Sequence, residues 1–369
     1  GVRIMAYTTI DDPSAFFQNM LWTGAGNSYP RSLTYTGNSD LKPDMLWSFG
    51  RSNTGSNWIM DSSRGYTANK ELTPSSSGKE GDTNATNSGA YGWPGPGITN
   101  GHQISQAGNY WNVANNTYYT FGWKAADGST TTFSENGNHP GGARQVNTTS
   151  GISIITYTGT GANANCNLPH GLGVAPKFLF FKERGTNGGS WATWHEGIGD
   201  DVKLRLNSYE GLDADGAFMN STLPDATNIT VGGTSVHTNA DARTYCCWAF
   251  AEVQGYSKFG KYYGNTNVNG TFVYTGFKPA MIIFKALANG NSWRVMNSGT
   301  SPTNPASASH VIQSNSEADV TGSAEFCDFL SNGFKLRCTG KSNAGTTFIY
   351  AAFAEQPFVT SSGVPATAR

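Results

Sequence analysis

The sequence predicts an all-β chain of three tandem antiparallel β-sandwich (jelly-roll-like) units, and three observations carry that prediction. A Tyr-Thr-Gly triplet followed by a proline and an apolar run returns three times, and repetition of a supersecondary unit is the strongest organisational signal a sequence holds. Helical periodicity is nearly absent, whereas Gly (46), Asn (34) and aromatic residues (12%) are plentiful, as in a turn-rich β protein. Charged residues make up only 13% and nearly cancel, 24 Lys and Arg against 25 Asp and Glu. Disordered chains have the opposite balance, with high net charge and few aromatics.

Residues 1–30 precede the first repeat. Asp11-Asp12-Pro13 ahead of Ser14–Met20 predicts one or two helical turns, with a carboxylate cap and proline in first position. The repeat scheme leaves this stretch without a sandwich partner, so Tyr7, Ile10, Phe16, Phe17 and Leu21 are expected to dock on a neighbouring subunit. The three units are expected at 31–133, 147–255 and 262–369, marked by Tyr35-Thr36-Gly37, Tyr157-Thr158-Gly159 and Tyr274-Thr275-Gly276. In each, a proline (Pro43, Pro176, Pro279) opens an apolar run that reads as a short buried strand; proline suits a first position, where no ladder donor is needed. Trp58, Trp191 and Trp293 follow those prolines by 15, 15 and 14 residues, the spacing of a hairpin. Aromatic strands at 117–123, 244–252 and 347–355 close the units, and the Gly/Asn-rich stretches 133–146 and 255–269 read as linkers.

Asn332-Gly333 is the strongest two-residue hairpin signal in the chain. A turn there sets Phe329 opposite Leu336 and Cys327 opposite Cys338, with these four side chains on the core face and Asp328 and Arg337 paired on the other. Opposed cysteines are compatible with a disulfide, but buried free thiols are the favoured reading.

Function classes narrow quickly. A net charge of −1 and singly scattered basic residues give no footprint for nucleic acid or an anionic membrane. No apolar window of membrane-spanning length exists, and residues 1–7 lack the apolar region of a secretory signal. No metal is expected, because the six histidines show no ligand spacing, the five cysteines form no C-x-x-C pair, and Asp213-Ala214-Asp215-Gly216 lacks the distal Glu of a calcium loop and reads as a turn. No cofactor motif is present either: Gly24-Ala25-Gly26 and Gly159-Thr160-Gly161 read as loop glycines. The nearest approach to hydrolytic chemistry is His195-Glu196 beside Asp200 and Asp201. The matching positions of the other units carry Asn297-Ser298 and Asp61-Ser62, so the acid–base identity is not repeated. No catalytic residue is assigned. Tyr91, Trp93, Tyr110 and Trp111 are the best candidates for stacking on sugar rings.

At Met5–Ser14, Ser153–Gly161, His170–Lys177, Gly255–Gly260, Phe272–Pro279 and Phe353–Gly363 the sequence resembles a repeat-containing family of virion proteins (tail-fibre or decoration-like) from phages of aquatic environments. The resemblance runs through essentially the whole chain and implies a virion or appendage component, located on the virion or outside the cell, with no catalytic residue to transfer. Met5 resembles the usual family start.

Composition and resemblance together lead to an expectation of a non-enzymatic structural protein: three sandwich units in series that self-assemble through β-edge and aromatic contacts into a homo-oligomer or helical polymer beside other virion proteins. A glycan-binding adhesin, with host surface glycan as partner, and a polysaccharide depolymerase are the alternatives. The depolymerase would require a facing carboxylate pair in a groove.

Overall fold

The computed structural model describes residues 7–26, 30–52, 57–67, 69–81, 94–95, 99–104, 112–164, 166–233, 235–288, 290–300, 303–306, 310–312 and 327–367. Two short 3-10 turns aside, regular structure among the described residues is all strand. The first third holds β1 (Phe17–Thr23), β2 (Arg31–Leu33), β3 (Met45–Gly50), β4 (Trp58–Asp61), β5 (Pro94–Gly95), β6 (His102–Ile104) and β7 (Thr117–Trp123). The middle holds β8 (Thr131–Phe133), β9 (Gly141–Asn147), β10 (Ile152–Thr158), β11 (Cys166–Pro169), β12 (Phe178–Glu183), β13 (Ala192–His195), β14 (Val202–Arg205), β15 (Asp213–Ala214), β16 (Asn228–Val231) and β17 (Thr244–Phe250). The last third holds β18 (Ser257–Tyr263), β19 (Phe272–Tyr274), β20 (Phe277–Ala286), β21 (Arg294–Asn297), β22 (His310–Val311), β23 (Cys327–Leu330), β24 (Gly333–Leu336) and β25 (Thr347–Pro357).

One strand order recurs. The first large sheet runs β1-β7-β3-β4, the second contains β10-β17-β12-β13, and the third contains β18-β25-β20-β21, all antiparallel. A small sheet accompanies each: β2-β6-β5, β11-β16 and β19-β24-β23. Two faces are therefore buried, which is why the central strands read as unbroken apolar runs rather than as alternation. On β4, Ile59 joins the main core while Trp58 and Met60 join a satellite core with Leu33, Ile104 and Tyr118. On β20, Met281 and Ile283 face the main core, and Ile282 and Phe284 face the small sheet.

The main core is common to all three large sheets. Trp123, Phe250 and Phe353 hold the same place in their sheets, opposite Phe17, Ile152 and Ser257. Their rings meet pairwise, with centroids 6.1, 5.4 and 5.6 Å apart. The sheets thus surround one aromatic axis and are not strung in series. Buried aromatic area at the interior of one closed arrangement stabilises more than the same rings spread over separate small cores.

Strand register also settles the hairpin tryptophans. Ser48 pairs Trp58, Phe181 pairs Ala192 and Phe284 pairs Arg294, so the counterpart of Trp191 and Trp293 is Asn57, not Trp58. Each of these three residues donates to the preceding sheet's segment. Trp191 Nε1 reaches Thr73 O (2.9 Å) and Ser76 O (3.1 Å), Trp293 Nε1 reaches Arg205 O (3.0 Å), and Asn57 Nδ2 closes the circle on Ile312 O (3.0 Å).

Several boundaries move. The 3-10 turn covers only Pro13–Ala15, capped by Asp12 with Ser14 N donating at 3.0 Å, and extended chain begins at Phe17. Residues 17–23 are the edge strand of the first sheet, so this stretch of the expected docking segment 1–30 pairs within its own chain. About half of each expected linker is strand: β8 and β9 form a hairpin added to β10, and β18 opens the third sheet. Glycine and asparagine content misled there because edge strands need little apolar sequence. Pro43 and Pro176 stand two residues before their strands, whereas Pro279 lies inside β20 at a register shift, where a missing donor does no harm.

The hairpin at 327–336 turns at Ser331-Asn332, pairing Phe329 with Phe334 and Cys327 with Leu336. A two-residue slip from the expected register keeps every side chain on its expected face, since the strand period is two. Cys327, Phe329, Phe334 and Leu336 are all fully buried, and Arg337 Nε still donates to Asp328 Oδ2 at 2.5 Å. Gly333 is needed for close approach: a Cβ there would lie 2.1 Å from Val273 O. All five cysteines are buried free thiols. No helix among the described residues is long and apolar enough to cross a membrane.

Candidate functional site

β13 ends on His195, and the strand carries this side chain into the core. Its Nδ1 accepts from Gly197 N (2.9 Å), so the ring proton sits on Nε2, which donates to Tyr350 O (2.9 Å) in the third sheet. Burial pushes its pKa down to about 4, leaving it neutral. Two of the three carboxylates beside it are engaged elsewhere. Lys177 Nζ holds Glu196, and Ser221 Oγ donates to Asp201. A crevice of about 300 Å³ next to them is lined by Trp194, Glu196, Ile198, Asp200, Leu223 and Pro224, among others. His195 is not on its wall. The structure therefore separates the imidazole from the carboxylates that the sequence sets side by side, because alternate strand residues face opposite ways.

The matching positions do other work. Register places Asp61, His195 and Asn297 opposite Met45, Phe178 and Met281. Asp61 binds Arg64, whose Nε donates to Asp61 Oδ2 at 2.7 Å while Nη1 reaches Glu80 Oε1 at 2.9 Å. The guanidinium lies 5.5 Å from the Trp248 ring centroid in the second sheet. Glu80 also takes Arg184 Nη2 at 2.9 Å, tying the first sheet's segment to the second. Burial would raise its carboxyl, but Arg64 and Arg184 hold it below the usual range.

Two buried lysines share another register position. Lys182 Nζ donates to Gly189 O (2.6 Å) of its own hairpin and Ser77 O (3.3 Å) of the preceding segment. Lys285 Nζ repeats the arrangement on Asn291 O and on Tyr209 O at 3.2 Å. Burial lowers Lys285 to about 8. In the first sheet this place belongs to Phe49. The repeated Phe-Lys at 181–182 and 284–285 was the available signal for the pair; the carbonyl acceptors come from distant loops and had none.

Of the expected docking residues, Ile10 and Phe17 lie in the shared core, Phe16 packs edge-on against Tyr256 at 6.2 Å, and Tyr7 OH donates to Gly276 O at 2.7 Å. They dock on their own chain. Leu21 alone among them is exposed, at 44%. Tyr91, Trp93, Tyr110 and Trp111 lie outside the described residues. Asp213 and Asp215 both bind Lys203 Nζ, at 2.9 and 2.7 Å, and Asp213–Ala214 is a short paired strand in place of the expected turn. Among the described residues no group of three or more His, Cys, Asp or Glu could hold a metal ion.

A family model described as "Domain of unknown function (DUF7483)" matches residues 12–357. The chain belongs to the DUF7483 family. No curated protein and no solved structure matches it. The DUF7483 span begins at the Asp12 cap and ends at Pro357, the last residue of β25. It thus takes in all three large sheets and the circle of contacts joining them.

Proposed function

We propose that this protein is a non-enzymatic structural component of a phage virion or extracellular fibre, made of three antiparallel sandwich units that follow one another in the sequence and pack around one core, and that its copies associate through β-edge and aromatic contacts. The circle of donors Asn57, Trp191 and Trp293 carries the reading. It makes each unit's neighbour a requirement for the next and gives the chain a single rigid block of the kind an assembly is built from. Ionisable groups in the interior support the same view, since His195, Glu80, Lys182 and Lys285 bond across to another sheet's segment and the Arg64 guanidinium lies over the Trp248 ring of the second sheet. A near-zero net charge brings little repulsion between copies. Tyr263, Phe272 and Tyr274, 63, 45 and 52% exposed, supply aromatic contact surface on the third unit.

Electron microscopy and sedimentation of the purified full chain test this reading. Regular oligomers or filaments are the expected outcome. A concentration-independent monomer that releases reducing ends from a polysaccharide would overturn it in favour of a depolymerase.

A further inference from the structure

In the strand order common to the three large sheets the first strand, β1, β10 or β18, has equal length and equal hydrogen-bond phase. Lys124 N donates to Phe16 O (2.9 Å) and Gly24 N to Asn116 O (2.7 Å), so the even residues of β1 face β7 while Phe17, Asn19, Leu21 and Thr23 present their backbone groups outward. Ala251 N to Gly151 O (2.7 Å) and Ala354 N to Tyr256 O (2.8 Å) set the same phase for β10 and β18. In the second sheet the outward edge is covered along its whole length by β9, from Ile152 opposite Asn147 to Thr158 opposite Gly141. The chain itself thus demonstrates that this edge accepts an antiparallel strand.

The other two edges differ. β18 carries Lys258 and Lys261, Thr271 Oγ1 takes Tyr263 O at 2.7 Å, and Glu252 reaches Phe259 N at 3.4 Å. Edge lysines and side-chain caps discourage strand addition. β1 reads Phe-Gln-Asn-Met-Leu-Trp-Thr, without a charge. Arg31 Nη1 occupies Thr23 O at 2.5 Å, but the outward backbone groups of Asn19 and Leu21 have no partner among the described residues. A cavity of about 320 Å³ flanks the strand at Phe17, Gln18 and Asn19.

We propose that β1 pairs antiparallel with β1 of a second copy, joining two large sheets across a two-fold axis at Met20. Asn19 then faces Leu21 of the other copy, and each such pair exchanges both N–H···O bonds, four in all. Self-pairing is favoured over a foreign strand because the outward groups are complementary to themselves under a two-fold rotation and no like charges meet. The idea rests on the self-assembly reading above and names its interface.

The test is sedimentation of the full chain against concentration for wild type, Leu21→Lys and Leu21→Pro, with hydrogen exchange on the wild type. Proline at 21 removes only an outward donor, so the β1–β7 ladder stays intact. The expected result is wild-type association weakened at least about tenfold in both variants, with unchanged melting curves and with slowed exchange at Asn19 and Leu21 on association. Should either variant misfold, the exchange pattern of the wild type decides alone. Association that persists in both variants, or that slows exchange on β18 or β19 instead, overturns the β1 interface while leaving self-assembly standing. A wild type that is monomeric at every concentration removes both.

Discussion

His102 is fully buried, and neither ring nitrogen has a partner among the described residues; its ring lies 6.0 Å from that of Tyr35. Burial takes its pKa to about 3 and that of His195 to about 4, from an ordinary 6.5. Below 6.5 the unfolded chain takes up protons that these folded sites refuse, so stability is full above that pH and falls as the pH drops toward 4. His102→Leu is expected to flatten that slope by about one proton in denaturant titrations at a series of pH values, without loss of stability at pH 7. An unchanged slope would refute the assignment. Trp191→Phe and Trp293→Phe each leave carbonyls of the preceding sheet's segment without their indole donor and are expected to cost about 1–2 kcal/mol, measured by denaturant unfolding.

Strands reveal how much a residue's meaning depends on its element. Gly333→Ala would press a Cβ to 2.1 Å from Val273 O and is expected to destabilise by about 2 kcal/mol or more, since the β19–β24 ladder must part. Gly340→Ala, with nothing within 4 Å, is expected to stay within about 0.5 kcal/mol. Thermal melts of the two variants check the contrast. The sequence marked Gly333 as a turn residue, and the chain uses it for close packing. It also placed the closing strands, the buried runs and the facing of Cys327 and Leu336, because period-two patterning survives a slip of two.

At the scale of the whole molecule, the chain closes on itself. Asp11 Oδ1 accepts from Ser361 N at 2.6 Å, bringing the beginning of the first sheet's segment beside the end of the third's. A circular permutant that joins these positions and opens at the exposed tip between Asn136 and Gly137 is therefore expected to fold, with a cooperative melt near that of the original. Trp123→Ala and Phe353→Ala empty the shared axis and are expected to cost about 3–5 kcal/mol each, with loss of near-ultraviolet dichroism from all three sheets together. Loss confined to one sheet's signals would mean independent cores.

The sequence by itself determined the all-β class, the threefold return of one strand pattern and the burial of its runs, because these follow from local periodicity and turn chemistry. It aligned His195, Asn297 and Asp61 correctly by offset, yet matched Trp58 to Trp191 and Trp293 because aromatic identity outweighed register. Tertiary structure alone decided that the three sheets share a core, that Asn57 completes a circle with two tryptophans, and that His195 turns away from Glu196. Those outcomes depend on contacts between residues far apart in the chain, such as Asn57 and Ile312, separated by 255 positions, which no local pattern encodes.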